Sequence, residues 1–284
     1  MSISNSAMLV EMNISVWTAA ITDRAATNKV TDDAHATTDA GLFKKNLMAG
    51  TTLRKDIADY AALCRTWHNG RTLPWSDKGV RLLPTSMFLD YKTEINARRD
   101  YFNAKVAKFV GEYPQLVNAA QTNLGDLFNA GDYPSAEEVE SKFAFKLIFS
   151  PVPESGDFRL TASAADMAEL KEQYETAYEA RVGDAMKTAW GKLHTTLQHM
   201  SEKLTESEGE KAKPFHSTFV SNISDLCALL THLNITKDPE LELARRNLQT
   251  MVSNVDVADI RSEVGLRADL KAQVDAALSR YSDW

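Results

Sequence analysis

Two tryptophans and four cationic residues are interleaved in the segment from Arg65 to Arg81. Arginine and lysine can follow the phosphates of a nucleic acid, and aromatic rings can stack on bases that no second strand covers. The segment therefore predicts a surface for single-stranded nucleic acid, with Trp67 and Trp75 as its stacking rings. The alternative is that both rings fill the core and anchor a loop, since Gly and Pro residues lie between and beside them.

Basic residues are concentrated between positions 42 and 108. This window contains 13 of the chain's 32 Lys and Arg but six of its 39 Asp and Glu. A local basic region can bind a polyanion even when the net charge, here −7, is negative. The alternative is a solvated helical surface without a ligand. The predicted phosphate contacts are Lys44, Lys45, Arg54, Lys55, Arg65, Arg71, Lys78, Arg81, Arg98, Arg99, Lys105 and Lys108, and the predicted stacking rings are Trp67, Trp75 and Tyr101.

Enzyme signatures are missing from the sequence. It contains no phosphate-binding loop, no dinucleotide-binding glycine motif, no HExxH, no GxSxG and no paired CxxC. We therefore predict a protein that is not an enzyme, with no catalytic residues and no cofactor.

Three groups of residues resemble metal ligands but lack the required arrangement. Cys64 and His68 are four residues apart, a spacing that can share a metal, whereas Cys227 and His232 are five apart and face different sides of a helix. The third group is acidic and lies in a polar stretch; a metal hydrolase would require it to meet His68 in space. It consists of Asp32, Asp33, His35 and Asp39. We predict no metal site.

The composition is typical of a globular protein in a reducing compartment. Hydrophobic residues make up 44% and charged residues 25%, which is enough to bury a core. Two cysteines cannot form a disulfide framework. No stretch is long and apolar enough to cross a membrane, and no basic-then-apolar signal opens the chain. These features predict a cytoplasmic protein that does not bind membranes.

The first half of the chain predicts one strand followed by helices. Alternating apolar residues predict a strand over 8–16, and helical spacing predicts a helix over 42–68, weakened at Gly50. Residues 69–84 contain two Gly and two Pro and are predicted to be irregular. A second helix should begin at Thr85 or Ser86 and end or kink at Pro114. Ser135 and Glu138 predict a short capped helix.

The second half predicts a hairpin and then only helices. Alternation over 143–149 and a return segment at 158–161 indicate a β-hairpin, joined by the 8–16 strand into a small sheet. Apolar residues then recur about every 3.7 residues over 163–206, which predicts a nearly straight helix about 65 Å long. One compact domain does not need such a length, so we expect part of it to pack on another subunit. Three further helices are predicted at 215–234, 239–253 and 256–281.

These elements predict the fold class and the domains. The fold class is mostly α with a small β-hairpin or sheet (α+β) and a long central helix. The polar break at 207–214 predicts a main α+β body over 1–206 and a C-terminal helical subdomain over 215–284.

Eight short motifs resemble a family of phage proteins. They are ISVWT (14–18), LPWSDKGVRLLP (73–84), EYPQLV (112–117), LGDLF (124–128), YPS (133–135), PVPESGDFR (151–159), EQYE (172–175) and HMSEKL (199–204). On them the chain resembles single-stranded-DNA-binding transcription regulators of lytic phages that carry their own RNA polymerase. The resemblance implies a novel fold and homo-oligomers that coat single-stranded DNA. It also implies that the protein helps the phage polymerase to reach its middle promoters. It carries no DNA contact over to a particular residue.

Together, the charge pattern and the resemblance predict a function. We expect non-enzymatic, sequence-independent binding of single-stranded DNA that supports phage transcription by polymerase recruitment, or replication, in the host cell cytoplasm. The expected partners are single-stranded DNA, a phage RNA polymerase and further copies of the chain. The alternative is a phage protein-interaction module, an inhibitor of a host factor or an adaptor for an ATPase, that docks through its long helix.

Overall fold

A computed structural model describes residues 3–77, 79–154, 163–205, 218–253, 255, 259–260 and 263–281. The helices in these ranges are α1 (Arg24–Asp33), α2 (Leu53–Arg71), α3 (Phe88–Leu124), α4 (Ala136–Glu140), α5 (Ala164–Leu204), α6 (Thr218–Leu233), α7 (Pro239–Ser253) and α8 (Val264–Arg280). The strands are β1 (Ala7–Ser15), β2 (Ala20–Thr22), β3 (Lys44–Asn46), β4 (Leu73–Pro74), β5 (Val80–Pro84) and β6 (Ala144–Pro151). The predicted mostly α fold with a small sheet and a long helix is confirmed.

The chain forms two compact units. The first unit comprises Met1–Glu11, Asn69–Leu89 and Ile148–Trp284, and the second comprises Met12–His68 and Asp90–Leu147. Helix α5 and the three helices after it thus belong to the same unit. The predicted division into 1–206 and 215–284 does not coincide with these two units, because α5 packs along α6 and α8.

A four-stranded sheet has the order β4-β5-β1-β6. Strand β1 pairs antiparallel with β5, from Ala7 opposite Pro84 to Glu11 opposite Val80. The predicted strand over 8–16 and its place beside β6 are therefore confirmed, whereas the return segment at 158–161 lies outside the described residues. The prediction that 69–84 is irregular is wrong: α2 extends to Arg71, and β4 and β5 form a hairpin. Gly79, at φ +88°, supplies the backbone conformation that this tight connection requires.

The core of the first unit lies along the second half of α5. Its inner face buries Leu193, Leu197 and Met200 among residues of α6, α7 and α8. The apolar stripe that we expected to pack on another subunit is therefore covered here by helices of the same chain. The predicted helix over 239–253 is confirmed as α7, and the Asp238 side chain caps its start by accepting a hydrogen bond of 2.9 Å from the backbone N–H of Glu240.

The second unit is built around α2 and α3. The fully buried side chains of Tyr91, Phe102 and Phe109 on α3 form its centre. Pro114 does not end α3, because burial of the aromatic turn around it outweighs the cost of one lost backbone hydrogen bond. Ser135 and Glu138 form the predicted capping box of α4.

The predicted helix over 42–68 begins later than expected. Residues 44–46 form β3, which pairs with β2, and α2 starts at Leu53. Gly50 lies in the turn between them at φ +83°. A Cβ at this position would lie 2.3 Å from Nδ2 of Asn123, which donates to the carbonyl of Ala49. The positive φ therefore favours glycine in this turn.

The stability of the first unit is expected to depend on Glu242 at acidic pH. Arg245 and Arg246 donate to this carboxylate over 2.8 and 2.6 Å, and these bonds lower its pKa from 4.5 to about 2. A lowered pKa stabilises the fold above pH 4.5, and the contribution is lost as the pH falls toward 2. Glu242→Gln should therefore unfold at a lower temperature than wild type at pH 6, and this difference should vanish near pH 2. Glu240→Gln, an exposed carboxylate in the same helical turn, is the control; an equal effect there would contradict the assignment.

Candidate nucleic-acid interface

The predicted contact residues are divided between the two units. Arg71, Trp75 and Arg81 belong to the first unit, and Lys78 lies outside the described residues. The second unit holds the larger group, Lys44, Lys45, Arg54, Lys55, Arg65, Trp67, Arg98, Arg99, Tyr101, Lys105 and Lys108. Each group is therefore considered within its own unit.

Helices α2 and α3 run antiparallel and meet through aromatic side chains. Tyr60 of α2 contacts Tyr101 of α3, and Trp67, two turns further along α2, contacts Tyr91, which lies earlier in α3. This packing brings cations of α3 onto the same rings. We call the resulting patch the α2–α3 surface; it consists of Tyr60, Trp67, Arg98, Tyr101 and Lys105.

At one end of this surface, Arg98 covers Trp67. The Arg98 Cζ lies 4.7 Å from the centroid of the indole, and the buried ring of Tyr91 lies 5.1 Å from it at an interplanar angle of 31°. Glu94, one turn earlier, accepts a 2.8 Å hydrogen bond from Nη2 of Arg98. Trp67 is half-buried, and the Arg98 guanidinium lies over its ring.

At the other end, Tyr101 is the most accessible ring. Its side chain is 53% exposed, packs edge-to-face on Tyr60 at 4.8 Å, and has Nζ of Lys105 4.9 Å from its centroid. Tyr60 is not among the predicted contact residues, although it precedes Trp67 by seven residues and so shares its side of α2. Burial raises the pKa of Tyr60 to about 12, so its hydroxyl stays neutral at physiological pH.

Cations outnumber anions around the α2–α3 surface. Residues 53–68 and 90–108 contain eight Lys and Arg and five Asp and Glu. Lys108 is exposed one turn after Lys105, and Arg99, 40% exposed, lies 3.9 Å from Asp100. Lys55 is exposed but pairs with Asp59 at 2.5 Å. An exposed pair of this kind contributes little to stability and can exchange its partner for a phosphate.

Two arginines of the second unit donate side-chain hydrogen bonds to its backbone carbonyl groups. Arg54 Nε donates to the carbonyl of Trp17 over 2.9 Å, and Arg65 Nη2 donates to the carbonyl of Ile14 over 2.7 Å. Their remaining N–H groups are not used in these bonds, and Arg65 is exposed. Lys44 is also exposed. Lys44, Arg54 and Arg65 remain predicted phosphate contacts, but none of them contacts the rings of the α2–α3 surface in the described structure.

Lys45 is not available for phosphates. It is 4% exposed, and its ammonium group lies 3.2 Å from Asp23 and 2.6 Å from Asp132. It also donates to the carbonyl of Leu127 over 2.8 Å. The contact with Asp132, followed by that with Asp23, raises the pKa of Lys45 against the effect of burial. Its role is structural, which corrects the predicted phosphate contact.

Trp75 also serves the core rather than a ligand. It is 7% exposed, packs edge-to-face on Tyr178 at 5.6 Å, and has the guanidinium of Arg181 at 5.6 Å from its ring. The predicted stacking by Trp75 is therefore corrected: neither face is open enough for a base. Arg81 is held by Thr72, to whose hydroxyl its Nε donates over 2.6 Å. Arg71 is half-buried.

The groups that resembled metal ligands stay apart. Cys64 and His68 are buried, and Nδ1 of His68 lies 2.7 Å from the hydroxyl of Tyr91. Burial raises the pKa of the Cys64 thiol, which disfavours the thiolate that a metal needs. Within the described ranges, no three His, Cys, Asp or Glu residues are grouped closely enough to hold a metal ion. In the same ranges, no helix has the length and apolar character needed to span a bilayer.

Comparison with known proteins identified no relative of this chain. No protein-family model, no curated protein and no solved structure matches the chain. The resemblance to phage regulators therefore stays a prediction based on short motifs, and the chemistry of the α2–α3 surface carries the functional argument.

Proposed function

We propose that the protein binds single-stranded DNA without sequence preference through the α2–α3 surface. The observation that carries this proposal is the exposed ring of Tyr101 directly beside Lys105, with Lys108 and Arg99 on the same helix. An unpaired base can stack on such a ring while the cations contact the phosphates on either side of it. Stacking accepts every base, so the binding does not depend on sequence.

The same arrangement favours single strands over duplex DNA. In a duplex, the faces of the bases are covered by their neighbours in the stack, so Tyr101 has no partner. The remainder of the chain is acidic and repels a duplex, whose charge density is higher than that of a single strand. Support for phage transcription, or for replication, follows from the resemblance and belongs to this proposal, as do homo-oligomers and action in a host cytoplasm.

The first half of α5 is the surface that suits a protein partner such as a polymerase. Residues 164–183 contain five Asp and Glu but two Lys and Arg. Met167, Leu170 and Tyr174 lie on one side of this segment and are only partly buried within the described structure. A long acidic helix with partly exposed apolar residues also favours the second candidate function, a protein-interaction module that docks through α5.

Replacing Tyr101 with alanine is expected to weaken single-stranded DNA binding about fivefold to hundredfold, since one stacked base contributes about 1–3 kcal/mol. Wild-type and variant are titrated against a labelled oligothymidine of about 20 nucleotides and its duplex by fluorescence anisotropy. For wild type, the log affinity should fall with log salt with a slope of about −3, because four cations, Arg98, Arg99, Lys105 and Lys108, each contribute about −0.7.

Phe43→Ala is the matched control. Phe43 is a partly exposed ring of the same unit, 36% accessible, that is not part of the α2–α3 surface. Its loss should leave the affinity within about twofold. Tighter binding to duplex than to single strands, or an affinity that does not depend on salt, would contradict the proposal.

A further inference from the structure

The contact between Glu94, Arg98 and Trp67 gives the α2–α3 surface a second stacking ring that is closed in the absence of ligand. We propose that Glu94 occupies the place of a DNA phosphate: when a phosphate binds, Arg98 turns from Glu94 toward it and uncovers Trp67 for a base. This inference rests on the proposed function and concerns how that same site is regulated.

The first observation concerns which N–H groups of the Arg98 guanidinium have hydrogen-bond acceptors. Its Nη2 donates to Glu94, its anionic partner within the described residues, over 2.8 Å. Its Nε is buried and has no oxygen acceptor in that part of the structure. The neighbouring Cys64 thiol, whose pKa is raised by burial against a smaller opposite effect of the Arg98 charge, is only a weak acceptor. A guanidinium prefers two parallel bonds to an oxyanion, so Arg98 in this state is satisfied incompletely.

The second observation is the difference in exposure between the two partners. The side chain of Glu94 is 51% exposed, whereas that of Arg98 is 23% exposed. An ion pair at i, i+4 with an exposed carboxylate is weak and can be replaced by a stronger anion. A phosphate diester carries a permanent charge and two free oxygens, and it arrives with further phosphates that Lys105 and Lys108 attract.

The third observation is the position of Arg98 over the indole. The distance of 4.7 Å between Cζ and the ring centroid is that of a stacked cation, and the buried ring of Tyr91 packs against the same indole. Arg98 therefore covers a face of Trp67 on which a base could stack. Movement of Arg98 off the indole would expose this face to a base. The surface would then offer two rings, Tyr101 and Trp67, to a bound strand.

The test combines affinity with the fluorescence of Trp67. Labelled oligothymidine is titrated into wild type, Glu94→Gln and Asp100→Asn by anisotropy, and unlabelled oligothymidine into wild type and Trp67→Phe by tryptophan emission. Asp100 is the matched control, because it is an acid of α3 that is 75% exposed and lies outside the Arg98 contact. We expect Glu94→Gln to bind about threefold more tightly than wild type, Asp100→Asn to stay within about 1.5-fold, and part of the quenching to be lost in Trp67→Phe.

Two results would overturn the inference while leaving DNA binding intact. One is an equal increase in DNA affinity in Glu94→Gln and Asp100→Asn. This would show that the loss of any negative charge on α3 raises the affinity and that Glu94 has no specific role. The other is quenching that is the same in wild type and Trp67→Phe, which would mean that Arg98 never leaves the indole. Absence of any binding by the wild type would instead overturn the proposed function, and the inference with it. Glu94 is a surface residue, so the affinity comparison stands even if Trp67→Phe folds poorly.

Discussion

Replacing Trp75 with alanine is expected to lower the free energy of unfolding by about 3–5 kcal/mol and to leave the affinity for single-stranded DNA unchanged. The indole is 7% exposed and fills the space between β4 and α5, with its ring against Tyr178. Truncation removes a large apolar surface from this core and leaves a cavity that the helix and the sheet cannot fully close. Urea unfolding followed by circular dichroism measures the loss.

Two further variants make the Trp75 result specific. Trp75→Phe keeps an aromatic ring in the core, so it should lose less stability and remain folded for the DNA titration. Tyr101→Ala, the exposed counterpart, should show the opposite pattern, with little loss of stability and a clear loss of affinity. If Trp75→Ala kept its stability and lost DNA affinity, the indole would be a stacking ring and the burial argument would be wrong.

Most elements of the fold could be predicted because their signals are local. The alternation in β1, the capping boxes of α4 and α5 and the cap of α7 each depend on residues within a few positions of one another. The strands β2, β3, β4 and β5 were missed because each is at most five residues long, too short for a clear alternation, and β2, β3 and β5 also depend on pairing with a distant segment. The helix end that Pro114 allowed is also absent, because packing around α3 outweighs the local preference of proline.

The types of residue in the candidate site could be predicted from the sequence, but which individual residues form the site could not. Interleaved Trp and Arg along one segment drew attention to Trp67, yet the cation over its ring, Arg98, comes from another helix, α3. Nothing near Trp75 in sequence reveals that Tyr178 and Arg181 will cover it. Counting charges also treats Lys44 and Lys45 alike, whereas the alternating sides of β3 expose the first and bury the second.

Lys45 stands between two carboxylates in the second unit. Its ammonium group joins Asp23, at the start of α1, to Asp132, in the turn before α4. The pKa of Asp23 is lowered first by the backbone N–H of Ala26 and then by Lys45. The Asp23 carboxylate therefore stabilises the fold above pH 3.8, and this contribution is lost as the pH falls below that value. The raised pKa of Lys45 keeps its charge, and its contribution, up to at least pH 10.5.

Lys45→Met is therefore expected to destabilise the protein by about 3–5 kcal/mol at pH 7, because it leaves two largely buried carboxylates facing each other without a cation. Lys44→Met makes the same change at the exposed neighbouring position and should stay within about 0.5 kcal/mol of wild type. Lys45→Met removes the cation that helps to lower the pKa of Asp23, so the Asp23 carboxyl should bind a proton more readily and the loss of stability relative to wild type should shrink as the pH falls from 7 to 4. Adding Asp132→Asn should restore part of the stability at pH 7, which urea unfolding at both pH values measures. A difference from wild type that is the same at pH 7 and pH 4 would show that lost packing, and not the uncompensated charges, causes the effect.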